Sequence, residues 1–160
     1  MSDEMQRAPE LLAPMVERYA GTSMEIDDLR AFDAREVPQA VVDAHAEVRD
    51  EHIAGVHCTW LDPALRGNGL LVSLHGGAHW VGPGPLHWDW FSTLCRETGR
   101  AGLLVRYPRA PEAVYPHALD AAETVARTLT GPWWAVGDSS GGGLAVALAS
   151  RLRGTAHAPR

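Results

Sequence analysis

Two glycine-rich segments hold the residues best suited to chemistry. One is Gly137-Asp138-Ser139-Ser140-Gly141, which fits G-x-S-x-G; the other, upstream of it, is His75-Gly76-Gly77-Ala78. A serine at the tip of a sharp strand-to-helix turn is displayed as a nucleophile, an arrangement called a nucleophile elbow. Its backbone is strained there, so Gly137 and Gly141 must leave room where a Cβ would clash. Gly142 and Gly143 then let the following helix lie close to the sheet. That helix begins at the serine, and its free N–H groups and positive dipole end face any oxyanion that develops. A glycine-rich turn such as HGGA points successive N–H groups into one space, which makes the other half of an oxyanion hole. The chemistry on offer is nucleophilic attack, and a serine needs a base to perform it.

Both segments need a rigid platform, and the chain supplies one. LLVSL (70–74), GLLVRY (102–107) and PWWAVG (132–137) are short apolar runs, each ending in turn residues. Continuous apolar strands of this kind belong to a parallel sheet covered on both faces. Between them lie helical patterns. PLHWDWFSTLCRETG places Leu86, Trp90 and Leu94 on one face with Phe91 and Cys95 beside them, and ALDAAETVARTL aligns Ala118, Ala122, Val125 and Leu129. The alternation predicts an α/β fold with right-handed crossovers, its site beyond the carboxyl ends of the strands. Trp133 and Trp134 read as strand core, and Trp80, Trp88 and Trp90 as an aromatic cluster in the core or along a pocket wall. Upstream, HIAGVHCTWL (52–61) reads as one strand. Residues 21–50 are acidic and weakly patterned, and residues 9–20 carry an apolar helical face interrupted by Pro14.

The bulk properties exclude several classes. The chain has 160 residues, enough for one domain with its own core, with 46% hydrophobic and 21% charged residues. No apolar run is long enough to span a bilayer. The net charge is −6 and no basic cluster offers a nucleic-acid footprint. Cys58 and Cys95 form no CxxC pair and no disulfide framework. MSDEMQRAPE lacks the basic and then apolar regions of a secretory signal, so a reducing cytoplasm is the expected compartment.

Three motifs in order carry a family resemblance: HGGAHWVG, YPRAPEAVYPHAL and GDSSGGGLAVALA. They resemble the HGGG loop, the YRLAPE segment and the GDSAGG elbow of the hormone-sensitive-lipase-like branch of the α/β-hydrolases, which includes many microbial carboxylesterases. The resemblance covers about residues 35 to 153 and corresponds to the N-terminal portion of that fold, ending after the helix that follows the elbow. It implies residues 1–50 as a cap-like helical lead-in and 51–160 as part of the catalytic domain. It also implies Ser139 as nucleophile, with oxyanion donors on the backbone of Gly77, Ala78 and Ser140 and with Gly76 shaping the loop. Gly137, Asp138 and Gly141 complete the elbow, Asp138 as an acceptor near the HGGA loop. The implied reaction is hydrolysis of a small acyl ester through an acyl-enzyme, with no cofactor or metal.

Departures from the family pattern set further expectations. Ala78 replaces a glycine, which a backbone donor tolerates at negative φ. Pro108 stands where the family has arginine, which would remove a bracing hydrogen bond. The family's catalytic Asp and His lie well downstream of the nucleophile, and this sequence closes with RLRGTAHAPR. The strand at 132–137 is therefore expected at the sheet edge. His79 is the nearest substitute base or else a pocket-lining residue, His75 shapes its loop, and His157 falls in a tail expected to be disordered. Zinc held by His75, His79 and His87 would need three side chains to converge from a glycine turn. Two alternatives to an esterase stay open: a truncated, inactive fragment that binds without turnover, and an arylformamidase-type amidase.

Overall fold

The computed structural model describes Glu25, Arg30, Ala31, Asp33 and residues 36–160; the helical face expected at residues 9–20 lies outside these. The chain divides into two units, Met1–Ala31 and Phe32–Arg160, and the sheet with its helices belongs to the second.

After a short helix α1 (Gln39–Ala44) come β1 (Val48–Ile53) and β2 (Val56–Leu61), an antiparallel pair. The 52–61 run is thus not one strand, because the chain reverses at Ala54-Gly55 with φ +49° and +86°. Positive φ at both central residues is the geometry of a two-residue hairpin. Alanine in the first position concealed the turn. β1 is the outer strand and exposes its four central residues, which explains why that stretch carries no apolar pattern.

The three apolar runs form β3 (Leu70–Leu74), β4 (Ala101–Val105) and β5 (Trp133–Gly137), all parallel, in a sheet of order β1-β2-β4-β3-β5. β3 and β4 are buried at every residue. β5 is the edge strand, as expected, and only its Trp133 is fully buried; Trp134 is half-buried beneath the Arg100 guanidinium. The last residues are not a loose tail: the Arg160 N–H donates to the Trp133 carbonyl at 2.9 Å.

Alternation along the strands splits the core in two. Leu70, Val72, Leu74, Leu103 and Val105 face α3 (His117–Ala126) and α4 (Ser139–Arg151), where Leu119, Val125, Leu144 and Leu148 meet them. Leu71 and Leu104 face α2 (Pro85–Thr98). α2 buries Trp88, Phe91, Ser92 and Cys95, whereas Leu86 and Trp90 are 83% and 41% exposed. The expected face was therefore rotated. Ser92 disguised the buried stripe, and its hydroxyl is satisfied by His45 Nε2 at 2.8 Å. The three tryptophans differ in their surroundings: Trp88 is fully buried, and Trp90 and Trp80 are 41% and 49% exposed.

Candidate active site

The two glycine-rich segments meet at the carboxyl ends of β3 and β5. Ser139 is the first residue of α4, is exposed, and has φ +47°, in the left-handed region that costs an L-residue roughly 1–2 kcal/mol. Two glycines make that conformation sterically feasible. A Cβ on Gly141 would collide with the carbonyl oxygens of Leu74 and His75, and one on Gly137 would lie 2.5 Å from the Gly141 oxygen. Gly143 behaves differently from the close-packing expectation: a Cβ there would meet nothing within 4 Å. It lines a cavity of about 260 Å³ instead, with His79, Tyr115, Leu119, Leu144 and Ala147.

The HGGA loop folds back as a tight turn, with the Trp80 and Val81 N–H groups both donating to the Gly77 carbonyl. Gly77, Ala78 and His79 have φ +112°, +55° and +63°. The expectation of negative φ at Ala78 fails here, because a run of left-handed residues is needed to close the turn. Ala78 is exposed, so its methyl gains little packing in return. We expect Ala78→Gly to raise unfolding free energy by about 0.5–1 kcal/mol, the relieved strain exceeding the added unfolded-state entropy. Urea denaturation checks this, and an unchanged or lower midpoint would count against the strain.

Asp138 ties the elbow to the loop. Its Oδ1 accepts the Gly76 N–H at 2.8 Å, across 62 residues of sequence, and a Cβ at position 76 would run into that carboxylate. Its Oδ2 lies 3.6 Å from His87 Nε2. His87 Nδ1 in turn accepts the Gly84 N–H at 2.9 Å at the start of α2. The one lone pair of neutral His87 is thereby committed, so its Nε2 carries the proton and cannot act as a base.

His75 is buried, its ring stacked on Tyr107 at 4.4 Å, and its Nδ1 is 2.8 Å from the Gly76 carbonyl. The Tyr107 hydroxyl donates to the His75 carbonyl. Burial dominates the titration of both rings, pushing the phenol above its ordinary range and the imidazole down to about 4. The sign follows directly. A folded-state value below the unfolded one means that the unfolded chain takes the proton first. This contribution to stability is whole above about pH 6.5 and is lost as pH falls toward 4, by roughly 3 kcal/mol in total. NMR should find the His75 imidazole still neutral at pH 5, and His75→Asn should flatten the stability profile between pH 6.5 and 4. A His75 titrating at its ordinary value would overturn this.

A second Ser–His–Asp line occurs away from the elbow, and no sequence spacing announced it. His45 Nδ1 is 2.7 Å from Asp62 Oδ2, and its Nε2 is 2.8 Å from Ser92 Oγ. The geometry mimics a triad, but Ser92 is 5% exposed and sits inside α2, where the helix's own carbonyls take up the surrounding N–H groups. Neither access for a substrate nor an oxyanion hole accompanies it. The line joins α2 to the end of β2 and to the segment after α1.

Neither cysteine competes with Ser139 as a nucleophile. Both cysteine thiols are pushed up to about 12 by burial, so neither supplies thiolate at neutral pH. Among the described residues no three His, Cys, Asp or Glu side chains are grouped to hold a metal ion, and no helix is long and apolar enough to cross a membrane.

The comparisons with known proteins agree with the fold. Residues 71–159 match the family described as alpha/beta hydrolase fold. An acetyl-hydrolase of Streptomyces hygroscopicus is 37% identical over 105 residues, which are 61% of this chain and 35% of that protein. An esterase of Acinetobacter venetianus is 33% identical over 113 residues, 67% of this chain and 37% of that protein. The structure of an esterase from the bacterial hormone-sensitive lipase family superimposes with TM-score 0.73 at 26% identity, covering 99% of this chain and 55% of that one. The chain therefore spans little more than a third of those curated relatives and about half of the solved structure. These 160 residues belong to the alpha/beta hydrolase fold family.

Proposed function

We propose that these residues carry the nucleophile and oxyanion hole of a carboxylic-ester hydrolase. Ser139 attacks the ester carbonyl, the N–H groups of Gly77, Ala78 and Ser140 receive the tetrahedral oxyanion, and water releases the acyl group. The observation that carries the reading is the Asp138–Gly76 hydrogen bond, which brings the strained serine and the glycine loop to one strand end. The related acetyl-hydrolase and esterase support small acyl esters as the substrate class.

An amidase or an inert acyl-binding fragment finds no specific observation in its favour. The test uses the product of the whole reading frame that encodes these residues. It should hydrolyse p-nitrophenyl acetate and butyrate, lose that activity in Ser139→Ala, and act far more slowly on N-formyl anilides. A product with no Ser139-dependent hydrolysis would leave only the binding reading, and preference for the formyl amide would establish the amidase.

A further inference from the structure

Pro108 stands where the family resemblance puts a bracing arginine, and the next residue supplies a brace of its own. Arg109 Nη1 lies 2.5 Å from the Gly82 carbonyl and 2.6 Å from Asp33 Oδ2. The other oxygen of Asp33 accepts the Gly82 N–H at 2.5 Å. One ion pair thus holds both backbone polar groups of a single glycine. The pair is shielded from water, with side chains 12% exposed at Asp33 and 24% at Arg109. Such pairs are screened little by salt and are costly to break on one side only.

The grip is part of a longer one. The Ala110 N–H donates to the His79 carbonyl at 2.9 Å, and the Tyr107 hydroxyl donates to the His75 carbonyl. Carbonyls 75, 79 and 82 are therefore all held by residues 107–110. Gly82 has no slack on its other side: with φ +98°, a Cβ there would meet His75 Nδ1 at 2.6 Å. The HGGA loop runs between these fixed points, and its left-handed residues 77–79 lie within that span.

We infer that Arg109, paired with Asp33, is a positioning residue that fixes the exit of the oxyanion loop and thereby aims the Gly77 and Ala78 N–H groups. The inference deepens the hydrolase reading, and only its kinetic arm rests on that reading. The hydrogen bonds to Asp33 and Gly82 both come from a single Arg109 nitrogen, so a lysine ammonium can replace them, whereas methionine keeps the stem and loses both.

The test compares wild-type, Arg109→Met, Arg109→Lys and Asp33→Asn, each in the product of the whole reading frame, by amide hydrogen exchange and by ester kinetics. In Arg109→Met the amides of residues 76–82 should exchange at least about 10-fold faster, with core amides of β3 and β4 unchanged. Arg109→Lys should stay within about 3-fold of wild-type, and Asp33→Asn, the milder variant should Arg109→Met not fold, should fall between. For Ser139-dependent hydrolysis, kcat in Arg109→Met should drop by about 10- to 100-fold with KM little changed, and the lysine variant should recover most of it. Loop amides that keep their wild-type rates, or that quicken only in step with the core, overturn the inference. A loosened loop in a protein whose wild-type form hydrolyses no ester leaves the clamp standing and removes the hydrolase reading.

Discussion

Gly141→Ala is expected to destabilise the domain by about 3–4 kcal/mol, a large share of the 5–15 kcal/mol typical of a whole domain. The added methyl would be driven into the carbonyl oxygens of Leu74 and His75, which are backbone atoms at the end of a strand buried at every residue. Neither can rotate away, so α4 must lift from the sheet or β3 must bend. Either movement also separates Ser139 from the HGGA loop. The adjacent glycines provide internal controls. At Gly142 the nearest atom to a new Cβ is the Gly137 oxygen at 3.2 Å, which a small shift accommodates, so Gly142→Ala should lie within about 1 kcal/mol of wild-type. At Gly143 nothing lies within 4 Å, and alanine in a helix interior should gain about 0.5–1 kcal/mol over glycine. Three successive glycines should thus give a severe loss, a small change and a gain in urea midpoints. A flat series would mean that the close approach of α4 to β3 is not what Gly141 provides.

The same series marks what could be read from residue order and what could not. β3, β4 and β5 were legible because strands covered on both faces need apolar residues throughout, and LLVSL, GLLVRY and PWWAVG have them. Ser139 at the elbow tip follows from the glycine spacing, since few other patterns tolerate a serine at φ +47°. The hairpin at Ala54-Gly55 was hidden by an alanine in a place where asparagine or aspartate gives the usual signal. The buried face of α2 was hidden by Ser92, a polar residue whose partner, His45, lies 47 residues away. Long-range pairings of this sort leave no periodic trace. The Asp33–Arg109 pair spans 76 residues and Asp138–Gly76 spans 62, so only the folded chain brings them together. For the same reason Ser92, His45 and Asp62 could form a triad's outline without a triad's function.

The 160 residues expressed by themselves should hydrolyse an activated short-chain ester no more than about 10-fold faster than their own Ser139→Ala variant. Ser139 has the strain, the exposure and the helix N-terminus of a nucleophile, but attack also requires a lone pair to take its proton. His87 has committed that lone pair to the Gly84 N–H, and His45 is held between Asp62 and Ser92. His75 donates its Nδ1–H to the Gly76 carbonyl and is withheld by its burial, not by a spent lone pair; His117 donates likewise to the Val114 carbonyl at the exposed start of α3. His52 and His57 stack on each other at the β1–β2 hairpin. His79 has a buried Nδ1 without a partner, as His75 Nε2 and His157 Nδ1 also do, and it alone of the three lines the apolar cavity beside the elbow helix. In a serine hydrolase of another fold, loss of the whole triad costs about a millionfold in turnover, on the order of 8 kcal/mol of barrier at 1.4 kcal/mol per decade. Oxyanion donors alone retain roughly 10³- to 10⁴-fold over water, and the Ser139→Ala variant keeps the proposed donors as well. The difference between the two proteins therefore isolates the serine's own contribution, measured with p-nitrophenyl acetate under matched conditions. Brisk turnover that vanishes in Ser139→Ala would mean that one of these residues does serve as base. His79→Ala is then the decisive variant: its rate should fall to that of Ser139→Ala.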